Sequence, residues 1–257
     1  FLSYRVEPND VMIFDGAIGL HVDDMLGGGS NKEGQTCFAT RVKELKKVFN
    51  FRTWEDTEKG TLNVAGNIEM DFCGNQLSKK AKGDFQMSCE TYIKGLKPIT
   101  ITKNRASDHK LTITEGERRQ LRGLMGSLAW PCNQAAPHLQ CSVSLGQGTI
   151  NEKATVQDLV EANKTLRFAK ANSDVCQVFP KICDNPDDVT FICMTDAAWA
   201  VRPDGSSQGG YLILAAHRGV LTGDTVGYVI VDWRSWKLPR VSRSSLASEA
   251  QAAAGGV

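Results

Sequence analysis

Three short apolar runs, at 189–194, 209–216 and 226–231, each bounded by Gly, Pro or Asp, restrict what the C-terminal third of this chain can form. Runs of this length between turn formers match strands rather than helices. An alanine-rich stretch at 244–254 follows, with Ser245 placed to cap a helix. Three strands and then a helix make the start of an α/β sheet domain. The preceding 170 residues follow a helical period in several places. Phe38, Val42, Leu45 and Phe49 recur at helical spacing over 36–50, with Arg41, Lys43, Lys46 and Lys47 on the remaining faces. Thr114 and Glu117 form a capping box that opens a helix through Leu121, Leu124 and Leu128. Thr155, with Asp158 three positions on, opens another through Leu159, Val160 and Leu166 to Lys170. Residues 171–188 carry Pro180, Pro186 and an acidic patch, and the domain boundary is expected there.

Near the N-terminus, apolar runs at 11–14 and 17–22 flank Asp15-Gly16, a two-residue hairpin signal. The stretch 62–70 reads as a strand pair or as one strand bent around Gly66. A length of 257 residues accommodates two domains, each able to bury a core. No apolar run approaches the roughly 18 residues that span a bilayer. The chain opens at Phe1 without a Met or a signal-like segment, and closes just after the first turns of a helix. It is expected to be a segment of a longer polypeptide. A net charge of +1, from 30 basic and 29 acidic residues, argues against a strongly basic nucleic-acid coat but leaves room for a local basic groove. What basic excess exists lies within 1–170 (23 against 20), concentrated on the 36–50 helix and Arg52.

Eight cysteines are scattered with no C-x-x-C pair, which fits a reducing, intracellular setting. The spacings of Cys176, Cys183 and Cys193 fit no common zinc module, and buried structural thiols are expected there. Trp199 and Trp236, beside strand motifs, are expected in the core. P-loop, G-x-S-x-G and H-E-x-x-H motifs are absent, and the four histidines stand far apart. Acidic pairs remain as candidates. With 17 Asp in the chain about one adjacent pair arises by chance. Two occur: Asp187-Asp188 falls in the Pro-rich linker, and Asp23-Asp24 follows a hydrophobic strand. Two adjacent carboxylates there suit Mg²⁺, which takes oxygen ligands and holds phosphates.

The segment Gly19-Leu-His-Val-Asp-Asp-Met-Leu26 resembles the Tyr-x-Asp-Asp box of reverse transcriptases, in the form found in copia-type LTR retrotransposon Pol polyproteins. Further segments follow in that family's order: the 36–50 helix with Phe49-Asn-Phe51, and Val64-Ala-Gly-Asn-Ile-Glu69, similar to the primer-grip hairpin. Leu121-Arg-Gly-Leu-Met-Gly-Ser-Leu128 and Leu166-Arg-Phe-Ala-Lys170 resemble segments between polymerase and nuclease. Met194-Thr-Asp-Ala-Ala-Trp199, Gly209-Gly-Tyr211, Ser235-Trp-Lys237 and Ser244-Ser-Leu-Ala-Ser-Glu249 resemble the start of the ribonuclease H domain. His21 departs from the family's Tyr.

The resemblance implies an α+β fold: a partial right-hand palm with thumb and connection helices over 1–170, a linker at 171–188, and the N-terminal part of a ribonuclease H-like α/β sheet over 189–257. It implies RNA-directed DNA polymerase and ribonuclease H chemistry by two-metal phosphoryl transfer. Asp23, Asp24, Asp196 and Glu249 are then the metal-binding catalytic carboxylates, with Mg²⁺ or Mn²⁺ held weakly by this chain. Arg41, Lys43, Lys46, Lys47 and Gly66 are then nucleic-acid contacts. The implied partners are an RNA template and an RNA–DNA hybrid, with dNTP only for the complete enzyme, and no membrane. A third palm Asp and a further nuclease Asp do not match any position here, so both sites are expected to be incomplete and the chain inactive alone. The alternative is a catalytically dead remnant that at most binds nucleic acid weakly.

Overall fold

The computed structural model of the chain describes residues 2–6, 11–21, 24–30, 34, 37–51, 54, 61–62, 68–79 and 84–256. Contacts divide the chain into two compact units, Phe1–Leu77 and Ser78–Val257, and helices combine with antiparallel sheet across the chain, as the α+β class requires. In the first unit, β1 (Leu2–Val6), β2 (Met12–His21) and β3 (Asp24–Gly29) form an antiparallel sheet in the order β1-β2-β3.

The turn expected at Asp15-Gly16 is not a turn: the dipeptide lies inside β2. The register steps from Ser3↔Gly16 to Tyr4↔Phe14, which leaves Asp15 as the extra residue of a β-bulge. A bulge re-aims the side chain it carries, and Asp15 is buried, its carboxylate accepting from Ser30 Oγ at 2.6 Å and from the Phe38 amide. Arg5 Nε lies 3.3 Å from the same carboxylate. Helix α1 (Phe38–Val48) therefore starts with a carboxylate on its first free amide, where the helix dipole favours negative charge. Glycine at 16 and 29 is equally specific. A Cβ at either position would come within 2.4 and 2.3 Å of the Phe38 ring, which packs on bare backbone there. Next come β4 (Thr61–Leu62) and β5 (Ile68–Phe72), paired antiparallel as Thr61↔Glu69 and Leu62↔Ile68, so the strand-pair reading of 62–70 holds. Cys73 and Gly74, both at positive φ, turn the chain into β6 (Asn75–Lys79).

The second unit begins with β7 (Phe85–Ser88), α2 (Glu90–Gly95), the short α3 (Lys103–Ala106) and α4 (Glu115–Gln134). The Thr114 capping box forms as expected: the Glu117 amide donates to Thr114 Oγ1 at 3.2 Å and Glu117 Oε2 accepts from the Thr114 amide at 2.7 Å. Pro131 sits in the last turn of α4 and cannot donate to the Ser127 carbonyl, which instead accepts from Tyr92 Oη at 3.2 Å. Helices α5 (Gln140–Gly148) and α6 (Val156–Ala171) complete the helical layer, the Thr155 amide donating to Asp158 Oδ2 at 2.7 Å at the start of α6. Leu121, Met125, Leu128, Leu139, Leu159 and Leu166 form the fully buried centre of this layer.

Strand β8 (Gln177–Phe179) pairs with β7. Residues 171–188 thus belong to the second unit, and the division between units falls at Leu77/Ser78 rather than at the expected linker. Short strands tolerate flanking proline, and Pro180 directly follows β8. Strands β9 (Val189–Ala198), β10 (Gln208–His217) and β11 (Tyr228–Lys237) form the three expected strands, and they pair antiparallel in the order β11-β10-β9. Helix α7 (Ser245–Gly255), capped by Ser244 rather than Ser245, packs on β9 and β10 through Ser248 and Ala252. Among the described residues no helix is long and apolar enough to cross a membrane.

None of the eight cysteines is in a disulfide. Cys176, Cys183 and Cys193 are not buried, contrary to expectation, while Cys89 and Cys132 are. Burial pushes the Cys89 thiol up to about 11 and the Cys132 thiol up to about 12, the Cys89 charge adding to the latter. The folded pKa values lie above the ordinary value of 9.0, so the unfolded chain releases these protons first. Stability is intact below pH 9 and falls as pH rises towards 11 and 12. Each unit of displacement corresponds to about 1.4 kcal/mol. The helical core is expected to melt markedly lower at pH 10.5 than at pH 8. The Cys89→Ala/Cys132→Ala protein should lose most of that pH dependence; equal dependence in both proteins would contradict the assignment.

Candidate functional site

Strands β2 and β3 pair from Gly16↔Gly29 to His21↔Asp24, so their connection passes through positions 22 and 23. Asp23 lies outside the described residues; Asp24 opens β3 with an exposed carboxylate. Asp24 Oδ2 lies 3.7 Å from Cys73 Sγ, at the turn between β5 and β6. The end of one hairpin therefore meets the tip of another, a non-local contact for which the only local sequence signal was the Cys73-Gly74 dipeptide. Gly66 lies outside the described residues.

Helix α1 presents its three lysines on one side. At about 100° per residue, Lys43, Lys46 and Lys47 fall within an arc of about 100°, opposite Arg41. All three lysines are exposed, whereas Arg41 is half-buried on the flank of the Phe38, Val42 and Leu45 stripe. Lys46 and Lys47 lie in the last turn, where the helix dipole favours cations. Lys46 Nζ sits 3.8 Å above the centre of the Trp54 ring.

In the second unit Asp196 lies on β9, exposed, with Oδ1 accepting from the Ala197 amide at 2.9 Å. Glu249 lies in the second turn of α7, half-buried. The elements are packed neighbours, yet the strand pleat separates the side chains. A Cβ on Gly256, just past α7, would meet Cys193 Sγ, Thr195 Cγ2 and Tyr211 Cβ, so that face of the sheet carries α7. Asp196 alternates to the other face, with its register partner Gly210. β9 is one of the two outer strands of its three-stranded sheet. Trp199 is 51% exposed, its indole donating to the Ser242 carbonyl at 3.0 Å, so it is not the core residue expected; Trp236 is half-buried.

Among the described residues no three His, Cys, Asp or Glu side chains converge as a metal site. Asp24 and Asp196 each offer an exposed carboxylate, a donor chemically suited to Mg²⁺ as a single ligand. No protein-family model, curated protein or solved structure matches this chain.

Proposed function

We propose that the chain is part of a copia-type retrotransposon RNA-directed DNA polymerase with ribonuclease H: palm end, thumb and connection, then the start of the nuclease sheet. The observation that supports it most is the succession β9–β10–β11–α7, three antiparallel strands and a helix, with Asp196 on the first strand and Glu249 on the helix. The exposed Asp24 at the β2–β3 connection adds to it. In this reading Asp23 and Asp24 hold Mg²⁺ in the polymerase half, and Asp196 and Glu249 hold it in the nuclease half. The ion supplies charge stabilisation for phosphoryl transfer. The chain's own lysines on α1 bind the phosphate backbone and fix its register.

A second reading is a catalytically dead remnant that binds nucleic acid weakly. The placement of Asp196 and Glu249 on opposite sides of β9 favours it. Both readings are tested by fluorescence anisotropy with a labelled 20-base-pair RNA–DNA hybrid. Three phosphate contacts imply a loss of roughly 40-fold in affinity between 50 and 200 mM salt. Lys43→Gln/Lys46→Gln/Lys47→Gln is expected to abolish most of that dependence. Salt-insensitive binding, or none at 50 mM salt, counts against any nucleic-acid role for α1. Cleavage or extension in the same samples would rule out the remnant; its absence is expected under both readings.

A further inference from the structure

Within the second unit, a cleft of about 560 Å³ opens between α4, α5 and β11. Its volume is that of an ordinary small-ligand site. Arg202, on the β9–β10 connection, reaches it with only 8% of its surface exposed. The Arg202 partners are neutral: Gln208 Oε1 at 2.7 Å, the Ser144 carbonyl at 3.1 Å and Ser144 Oγ at 2.9 Å. No carboxylate forms an ion pair with it among the described residues. Desolvating a guanidinium is costly: burial lowers its pKa, and the charge of Asp204, which also pairs with Lys237, offsets this only in part.

Arg234 and Lys237 add two more cations to the lining, and Lys237 is also paired with Asp204. Asp232 is the one carboxylate among the described lining residues, and both its oxygens are engaged, by Tyr211 Oη at 2.9 Å and the Trp233 amide at 2.8 Å. The lining also holds flat aromatic surface and amide side chains. Trp233, Trp236 and Tyr211 contribute the rings, Gln140 and Gln147 the amides, and the Arg234 guanidinium lies 5.3 Å from the Trp236 ring. Cations beside aromatic rings and amides suit one ligand chemistry, a planar heterocycle carrying a phosphate.

The geometry points to a nucleotide-binding cleft along the outer edge of β11, with the phosphate on Arg202, Arg234 and Lys237 and the base against Trp233 on the face turned to α4. This site shares no residue with the carboxylates considered above and does not rest on the polymerase reading. The nucleotide is either free or one unit of a single strand.

The test is calorimetric titration of the full chain with 2′-deoxyadenosine 5′-monophosphate, with EDTA present to silence any metal effect. Saturable binding with a Kd below about 1 mM is expected, with adenosine at least about tenfold weaker because it lacks the phosphate. The exposed Arg234→Gln change should weaken binding about fivefold or more, and Asp232→Asn should tighten it by removing the like charge. Circular dichroism confirms that each variant is folded. Should Arg234→Gln fail to fold, Asp232→Asn and Lys237→Gln carry the same test in opposite directions. A deoxyadenylate ten-mer that competes with the mononucleotide identifies a strand as the source, and one that does not compete identifies the free nucleotide. Absence of saturation, equal affinity for adenosine, or unchanged affinity in folded variants each overturns the assignment.

Discussion

Asp15→Ala is expected to destabilise the first unit by about 3–5 kcal/mol, because it removes one buried carboxylate from three partners at once. Arg5 loses its contact with that carboxylate, Ser30 Oγ its acceptor, and the first amide of α1 the carboxylate that receives it. Asp15→Asn keeps the shape and one acceptor oxygen, so it should cost less than alanine while still losing the charge. Hydrogen exchange of the β2 and β3 amides reads the effect locally and separates it from the second unit. Protection in Asp15→Ala within 1 kcal/mol of the parent protein would refute the clamp. Gly16→Ala should show a comparable local loss for a different reason, the overlap of the new Cβ with the Phe38 ring.

The same position shows where sequence reading stops. Asp-Gly between apolar runs satisfies the rule for a tight hairpin, and it satisfies a bulge with a buried Asp beside a bare-backbone packing site equally well. The deciding contact, Phe38 on Gly16 and Gly29, lies 22 residues downstream of Gly16, and no local pattern encodes it. Where the signal is local, the sequence was legible. The Thr114–Glu117 box, the Thr155–Asp158 helix start and the three apolar runs of the last sheet all formed where residue spacing placed them. The site was legible only in part. The pattern of runs placed Asp24 just past a strand; that it opens the partner strand β3, and its proximity to Cys73, the runs do not show. Nor does the sequence fix which face of β9 carries Asp196, since that depends on the side of the sheet to which α7 crosses, and a one-residue change of register would reverse it.

That parity matters for chemistry, and it underlies the largest effect expected in solution. The purified 257-residue chain should give no measurable primer extension on an RNA template with Mg²⁺ or Mn²⁺, and no measurable cleavage of an RNA–DNA hybrid. Mg²⁺ demands near-octahedral oxygen geometry and keeps several waters, so one or two carboxylates hold it weakly. Two-metal transfer further requires that both ions stay in line with the attacking and leaving oxygens. Among the described residues no three ligand side chains converge, and Asp196 lies on the sheet face opposite the one that carries α7 and its Glu249. Poor alignment of this kind costs of order 10²-fold per displaced group and compounds when an ion is lost. Extension that disappears in Asp23→Asn, or hybrid cleavage that disappears in Asp196→Asn, would overturn the expected inactivity while placing the chemistry at the named carboxylates. Activity that survives both substitutions would remove these residues from the catalytic reading altogether.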